Sequence, residues 1–290
     1  MEGSGWTVLK LLGWTKGFFT RAGLEDPRLS AEILLGHALG CDRLALYTRF
    51  EYQPSQEQLA AFRELIRRAR RLEPIAYLIG RKEFYSLQFK VTPDVLVPRP
   101  ESEILVSEAV AHLRKLARPG RVWDVATGGG CVAVAIAVQA PQASLLATDI
   151  SQAAVAVAAE NAKAHHVAER VKCLRADMMN LPGEVEGQGG FDVITANPPY
   201  VPAGQEVAEP VKHEPPGAVF GGPDGLDFIR PIVRESGGFL RAGGALVMEF
   251  GVAQARAVGA LVEQAGCFAQ ARLIRDQAGI ERVVVAVRKD

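Results

Sequence analysis

Charge of one sign is what this 290-residue chain lacks most plainly. Its 33 lysines and arginines are balanced by 33 aspartates and glutamates, so no overall field would hold it on nucleic acid or on an anionic membrane. Any contact with a polyanion must be local. Cysteine is also scarce. Cys41, Cys131, Cys173 and Cys267 lie far apart and form no C-x-x-C pair, which argues against a structural zinc site or a disulfide framework and leaves them as buried small apolar side chains. No metal site is expected. No stretch approaches the roughly 18 consecutive apolar residues of a membrane span. Met1–Gly5 has neither a basic segment nor an unbroken apolar one, so a signal peptide is not expected and a reducing cytoplasm is the simplest compartment. Internal repeats and low-complexity tracts are missing too. What is present is 48% apolar residues, enough for ordinary cores, in a length that suits two domains of unequal size.

From Trp6 to about Glu73 apolar residues recur at helical spacing, as in Val8, Leu11, Leu12 and again in Leu59, Phe62, Leu65, Ile66, with Gly, Pro and Asp between the runs. This predicts a small helical domain over residues 1–74. Its last helix carries Arg63, Arg67, Arg70 and Arg71 along one face, either a solvated surface or a docking patch for an acidic or RNA-bearing partner. Residues 75–100 change texture to aromatic and β-branched (Phe84, Tyr85, Leu87, Phe89, Val91, Val95, Leu96, Val97) with prolines at both ends, which predicts a β-hairpin connector. From 101 to 290 helical and strand patterns alternate. Strands are expected at Val122–Val125, Ser144–Thr148, Val171–Arg175, Asp192–Thr195, Ala245–Phe250, Ala271–Ile274 and Arg282–Val287, the pattern of a mainly parallel α/β sheet. The segment 181–190, rich in Gly and Glu, reads as a surface loop without chemistry.

In open α/β sheets ligands bind outside the carboxyl ends of the strands, where the strand order reverses. The first expected strand ends in Asp124-Val125-Ala126-Thr127-Gly128-Gly129-Gly130 and runs into an apolar helix. Glycines at such a turn let the backbone approach a ligand closely, although a merely tight turn would use them too. The second strand ends in Thr148-Asp149, where a carboxylate can accept both hydroxyls of an adenosine ribose or, more plainly, cap the next helix. The third ends in Ala176-Asp177-Met178, an acceptor and a soft apolar contact for an adenine ring, or simply core filling. A contiguous G-G-G is not the spacing of the pyrophosphate fingerprint, so a cofactor without phosphates fits better than a dinucleotide.

The fourth strand ends in Asn197-Pro198-Pro199-Tyr200, the most specific feature of the chain. A planar NH₂ group is a poor nucleophile because its lone pair is delocalised. The Asn197 side-chain oxygen and the Pro198 carbonyl can accept its two hydrogens as positive charge develops, and the prolines bring no competing N–H. Tyr200 can stack on the planar group and orient it. The plainer alternative is a rigid turn with an aromatic plug.

Taken together these stretches resemble the release factor glutamine methyltransferases, class I enzymes that methylate the glutamine of the Gly-Gly-Gln loop in peptide chain release factors. The resemblance extends to Ile75–Ser86, Leu96-Val97-Pro98-Arg99-Pro100-Glu101-Ser102-Glu103, Glu214-Pro215, Gly221-Gly222-Pro223-Asp224-Gly225-Leu226-Asp227, Met248-Glu249-Phe250-Gly251 and Asp276–Arg282. It is clear from about Pro74 onward and looser before. It implies a Rossmann-like, seven-stranded class I methyltransferase fold behind a helical N-terminal domain that helps dock the release factor. It also implies S-adenosyl-L-methionine as cofactor, with S-adenosyl-L-homocysteine as product, in a pocket lined by Ala126 to Gly130, Asp149 and Met178, with Asp177 and Asn197 beside it. Asn197, Pro198, Pro199 and Tyr200 would grip the glutamine, and of these Asn197, Pro198 and Tyr200 are the catalytic expectation. The family usually has glycine where Ala126 stands, so that residue is expected to keep a negative φ. An aromatic residue usually stands where Met178 is. The expected partner is a release factor, with no stable nucleic acid or membrane contact, and the chain is expected as a monomer. Three other functions compete: methylation of adenine N6 in DNA or RNA, which the neutral charge disfavours; methylation of a ribosomal-protein glutamine; and a non-catalytic interaction module using the Arg63–Arg71 face.

Overall fold

A computed structural model describes residues 5–181 and 190–290 of the chain. Met1–Ser4 and most of the expected loop 181–190 therefore lie outside the described residues. The chain divides into two compact units, one of residues 1–80 with 207–213 and one of residues 81–206 with 214–290.

The smaller unit is helical: α1 (Val8–Arg21), α2 (Pro27–Leu39), α3 (Arg43–Thr48), α4 (Gln56–Ala69) and α5 (Ile75–Ile79). The first four starts have a chemical reason. Thr7 and Asp42 accept backbone N–H bonds at the first turns of α1 and α3, Pro27 occupies the first position of α2, and Ser55 with Gln58 forms a capping box on α4. Phe19, Leu34, Leu35, Leu46 and Phe62 fill the core. The buried Glu32 carboxylate accepts from Arg28, Arg43 and Tyr47, so its charge is matched. The expected arginine stripe is only partly helical. Helix α4 stops at Ala69, Arg67 pairs with Glu64, the Arg70 guanidinium lies 5.9 Å from the centre of the Phe18 ring, and Arg71 falls past the helix end.

The connector is shorter than the composition suggests. Ile75–Ile79 is helical and Leu78 joins the core of the small unit, while the hairpin is confined to β1 (Arg81–Phe84) and β2 (Leu87–Lys90). Tyr85 and Ser86 both take positive φ, 51° and 59°, as a two-residue hairpin turn with the right twist demands.

The larger unit contains a seven-stranded sheet: β3 (Arg121–Val125), β4 (Ser144–Asp149), β5 (Val171–Arg175), β6 (Phe191–Ala196), β7 (Leu240–Glu249), β8 (Phe268–Arg275) and β9 (Glu281–Arg288). Their order is β5-β4-β3-β6-β7-β9-β8, parallel except that β9 runs antiparallel to both neighbours. This is the mainly parallel, seven-stranded arrangement that the resemblance implies. Helices α6 (Glu103–Leu113), α7 (Cys131–Gln139), α8 (Gln152–Ala164), α9 (Ile229–Phe239) and α10 (Ala255–Ala265) belong to the same unit, with a single helical turn at Pro216–Val219. Successive residues of a strand point to opposite faces, and both faces are covered: Val122 joins a core with Leu105 and Ile136, while its neighbour Trp123 joins one with Ile194, Ile229 and Phe250. The register pairs Val125 with Thr148 and with Ala196, and Ala196 with Met248, so the carboxyl ends of four strands arrive together. The strand order reverses between β3 and β6, which marks the ligand crevice.

All four cysteines are free and partly exposed, not buried as their composition suggests. Among the described residues no helix is long and apolar enough to cross a membrane, and no group of three His, Cys, Asp or Glu side chains gathers as a metal site.

Candidate active site

Beyond the carboxyl ends of β3, β4 and β6 lies a cavity of about 190 Å³. Of the residues singled out from sequence, Ala126, Thr127, Gly128, Gly129, Asp149, Met178, Asn197 and Pro199 line it. Gly130, Asp177, Pro198 and Tyr200 do not, and Asp177 is an exposed side chain.

The glycine loop owes its shape to a buried acid. Asp124 accepts from Thr127 Oγ1 and from Thr195 Oγ1, each at 2.6 Å, tying the loop after β3 to the next strand. Burial pushes its carboxyl up to about 6, against the pull of those two hydroxyls. Asp149 closes the loop from the other side: its Oδ2 accepts from Gly128 N and its Oδ1 from Ser151 N, both at 2.9 Å. Each carboxylate oxygen keeps a further lone pair for a ligand hydroxyl, so capping and ligand binding do not compete. Gly128 has φ +53° and open space where a side chain would stand. Gly130, just before α7, is glycine for a packing reason as well, because a Cβ there would lie 2.9 Å from Ala158 Cβ. The sequence reading passes over Asn161, which is buried on α8. It donates to Gly129 O at 2.8 Å and Lys90 O at 3.0 Å and accepts from Lys90 N at 2.8 Å, pinning loop and hairpin together. An asparagine in a run of helical alanines is its only sequence signal.

At the tip of β6, Asn197 Nδ2 donates to Ser102 Oγ at 2.9 Å, Ser102 Oγ donates to Glu249 Oε2 at 2.6 Å, and the Tyr200 hydroxyl donates to Glu249 Oε1 at 3.1 Å. Among the described residues nothing donates to Asn197 Oδ1 or to the Pro198 carbonyl. The Pro199 and Tyr200 carbonyls are closely packed. Any side chain at Gly221 would strike the Pro199 carbonyl and at Gly225 the Tyr200 carbonyl, while Gln254 Nε2 donates to Tyr200 O at 3.0 Å. Burial, with the Glu249 carboxylate beside it, pushes the Tyr200 phenol well up, so it stays a donor. Arg99 lines the cavity and pairs with Glu214, whose second oxygen is buried without a partner among the described residues. Burial raises the Glu214 carboxyl, opposed by Arg99.

Residues 10–80 match the model of the PrmC N-terminal domain and residues 101–214 that of the methyltransferase small domain. The release factor glutamine methyltransferase of Rhodopirellula baltica is 43% identical over 285 residues, covering 96% of this chain and 95% of that protein. The chain belongs to the release factor glutamine methyltransferase family. The Geobacter sulfurreducens member is 40% identical over 282 residues, with 96% of each chain covered. A methyltransferase structure from Pyrococcus furiosus, at 18% identity and TM-score 0.52 over 72% of this chain and 92% of that one, shares the fold.

Within the family pattern the two departures now have a geometry. Ala126 does not keep a negative φ: it stands at +54°, in the left-handed region that the usual glycine enters freely. Directly after it Thr127 N donates to Thr148 O at 2.9 Å, so the residue stands between the last pair of β3 and the glycine loop. Met178, also at positive φ (46°), lines the cavity together with the half-exposed Ile150, a second apolar wall. The family stretches that have no role in the sequence reading, Pro98–Glu103, Glu214-Pro215 and Met248–Gly251, supply Arg99, Ser102, Glu214 and Glu249. Their side-chain partners lie 49 to 147 residues away, a distance no local pattern reveals.

Proposed function

We propose that this chain transfers a methyl group from S-adenosyl-L-methionine to the side-chain amide nitrogen of the glutamine in the Gly-Gly-Gln motif of a peptide chain release factor. The observation that carries the reading is the state of Asn197 at the cavity wall: its Nδ2 is committed to Ser102, and its Oδ1 and the neighbouring Pro198 carbonyl have no donor among the described residues.

The donor set suits an adenosine-bearing cofactor without phosphates. Asp149 retains lone pairs for two ribose hydroxyls, Ile150 and Met178 offer apolar faces for a flat base, and the loop 126–130 contains no basic side chain for a phosphate. When bound, that cofactor supplies an electrophilic methyl on a sulfonium. The chain's own residues handle the nucleophile. Asn197 Oδ1 and the Pro198 carbonyl accept the two amide hydrogens and stabilise the positive charge growing on nitrogen. Pro199 walls the cavity, and Tyr200, its hydroxyl held by Glu249 just outside the cavity lining, is the group we assign to stack on the planar amide and orient it. The proton lost after transfer leaves a strongly acidic protonated amide, so no tuned base is required. The free cysteines suit a reducing cytoplasm, where a release factor is met.

The test is to incubate the protein with S-adenosylmethionine and a release factor and to map added methyl mass. Methylation of the Gly-Gly-Gln glutamine is expected. An untouched release factor with methylated adenine in added nucleic acid would replace this reading with its competitor.

A further inference from the structure

The Asn197 amide has two ends, and only one of them serves the reaction proposed above. With Oδ1 toward the cavity it accepts a hydrogen; turned over, it presents Nδ2, a donor, to a nitrogen whose lone pair is needed elsewhere. What selects the orientation lies outside the tetrapeptide. Ser102 Oγ stands 2.9 Å from the Asn197 nitrogen and 2.6 Å from Glu249 Oε2. Burial raises the Glu249 carboxyl, and the Ser102 and Tyr200 hydroxyls that donate to its two oxygens oppose that rise. In the ionised form that these donors favour it only accepts, so the single hydroxyl hydrogen of Ser102 goes to Glu249. Ser102 must then receive from Asn197, and Nδ2 is the end that can give.

We propose that Ser102 and Glu249 are positioning residues that impose this polarity on Asn197, an inference that rests on the methyl-transfer reading and deepens it. Their placement supports the role. Glu249 ends β7 at the register where Met248 pairs with Ala196, which brings its carboxylate beside the tip of β6. It is 1% exposed and Ser102 is 2% exposed. Burying a carboxylate for packing alone is unfavourable against an apolar side chain of similar size. Here both of its oxygens are used, one on Ser102 and one on the Tyr200 hydroxyl, so one acid orients both polar groups of the tetrapeptide. Ser102 is itself held by the turn that begins at Arg99, where its N–H donates to Arg99 O at 3.2 Å.

The experiment uses the full chain, S-adenosylmethionine and a release factor. Ser102→Ala is expected to lower kcat by on the order of 30-fold, while KM for the release factor and Kd for S-adenosylhomocysteine each stay within about threefold. Ser102→Thr, which restores the hydroxyl, is expected to recover most of the loss. Glu249→Gln keeps the shape, removes the obligatory acceptor and should reproduce the kcat-selective defect. A second readout needs no turnover. The Asn197 side-chain amide signal, assigned by its absence in Asn197→Asp, should exchange slowly with water in the native chain and fast in Ser102→Ala and Glu249→Gln. Unchanged kcat and unchanged exchange would overturn the proposal, as would a loss confined to cofactor Kd or one that Ser102→Thr does not repair. If Ser102→Ala does not fold, the isosteric Glu249→Gln decides between the same outcomes. A native chain that shows the slow amide but leaves the release factor unmethylated would defeat the substrate reading and leave the positioning role standing.

Discussion

At Asn197 one side chain joins the cavity wall to a buried hydrogen-bond chain, and truncating it separates binding from chemistry. Asn197→Ala is expected to lose at least about 2 kcal/mol of transition-state stabilisation, roughly 30-fold in kcat, with S-adenosylhomocysteine affinity kept within about threefold by calorimetry. Ala126 offers the opposite experiment. A methyl-bearing residue at φ +54° costs about 1 kcal/mol relative to glycine, so Ala126→Gly should raise the unfolding free energy by about that amount in a urea titration. That strain is invisible in the sequence, which names the residue but not its dihedral. Asp124 gives a pH signature. Its folded value of about 6 stands above the ordinary 3.8, so its contribution to stability is complete below that ordinary value and is lost as pH rises through 6. Between about pH 5 and pH 8 the native chain should lose about 1–2 kcal/mol relative to Asp124→Asn, read from paired denaturant titrations.

Elements are more legible than contacts. Most strands of the sheet carry β-branched and aliphatic residues, and the sequence places each within a few residues of its position. The first half of β7 escapes it, because Leu240-Arg241-Ala242-Gly243-Gly244 has no strand pattern, and of these residues Leu240 pairs with Phe191 of β6 before the register shifts. Helix α5 reads as connector in sequence, since five residues between Pro74 and Gly80 give no full helical period. The hairpin β1–β2 shows why local pattern is insufficient: its strands are four residues each, and the turn at Tyr85-Ser86 carries no glycine. Asn161 holds Lys90 to the glycine loop instead. Asn161→Ala leaves a part-buried N–H and two carbonyls to find new partners, and is expected to cost about 1–3 kcal/mol in chemical unfolding. It should also weaken cofactor binding, since Gly129 O loses its anchor; a variant as stable as the native chain would remove Asn161 from this account.

Zero formal charge over the whole molecule sets how it meets a partner. Without a global field, capture of a protein substrate rests on local contacts. The kcat/KM for a release factor should change by less than about threefold between 50 and 200 mM salt, whereas engagement of six or more phosphates would lower affinity by about 10³ over that range. A steep salt dependence would point back to a nucleic acid. Composition makes this much readable; the order of the strands it does not, because alternation of helix and strand fits several sheet orders, and the antiparallel pair at one edge depends on where β9 inserts. That insertion also governs synthesis. Strand β8 is made before β9 yet lies outside it, so a nascent chain that has passed Arg275 still has no neighbour for β8, and the strand bearing Glu249 remains an open edge. The ribosome must deliver residues 281–288 before that edge closes, and until then the half-made enzyme offers two unsatisfied strand edges to chaperones and to other chains.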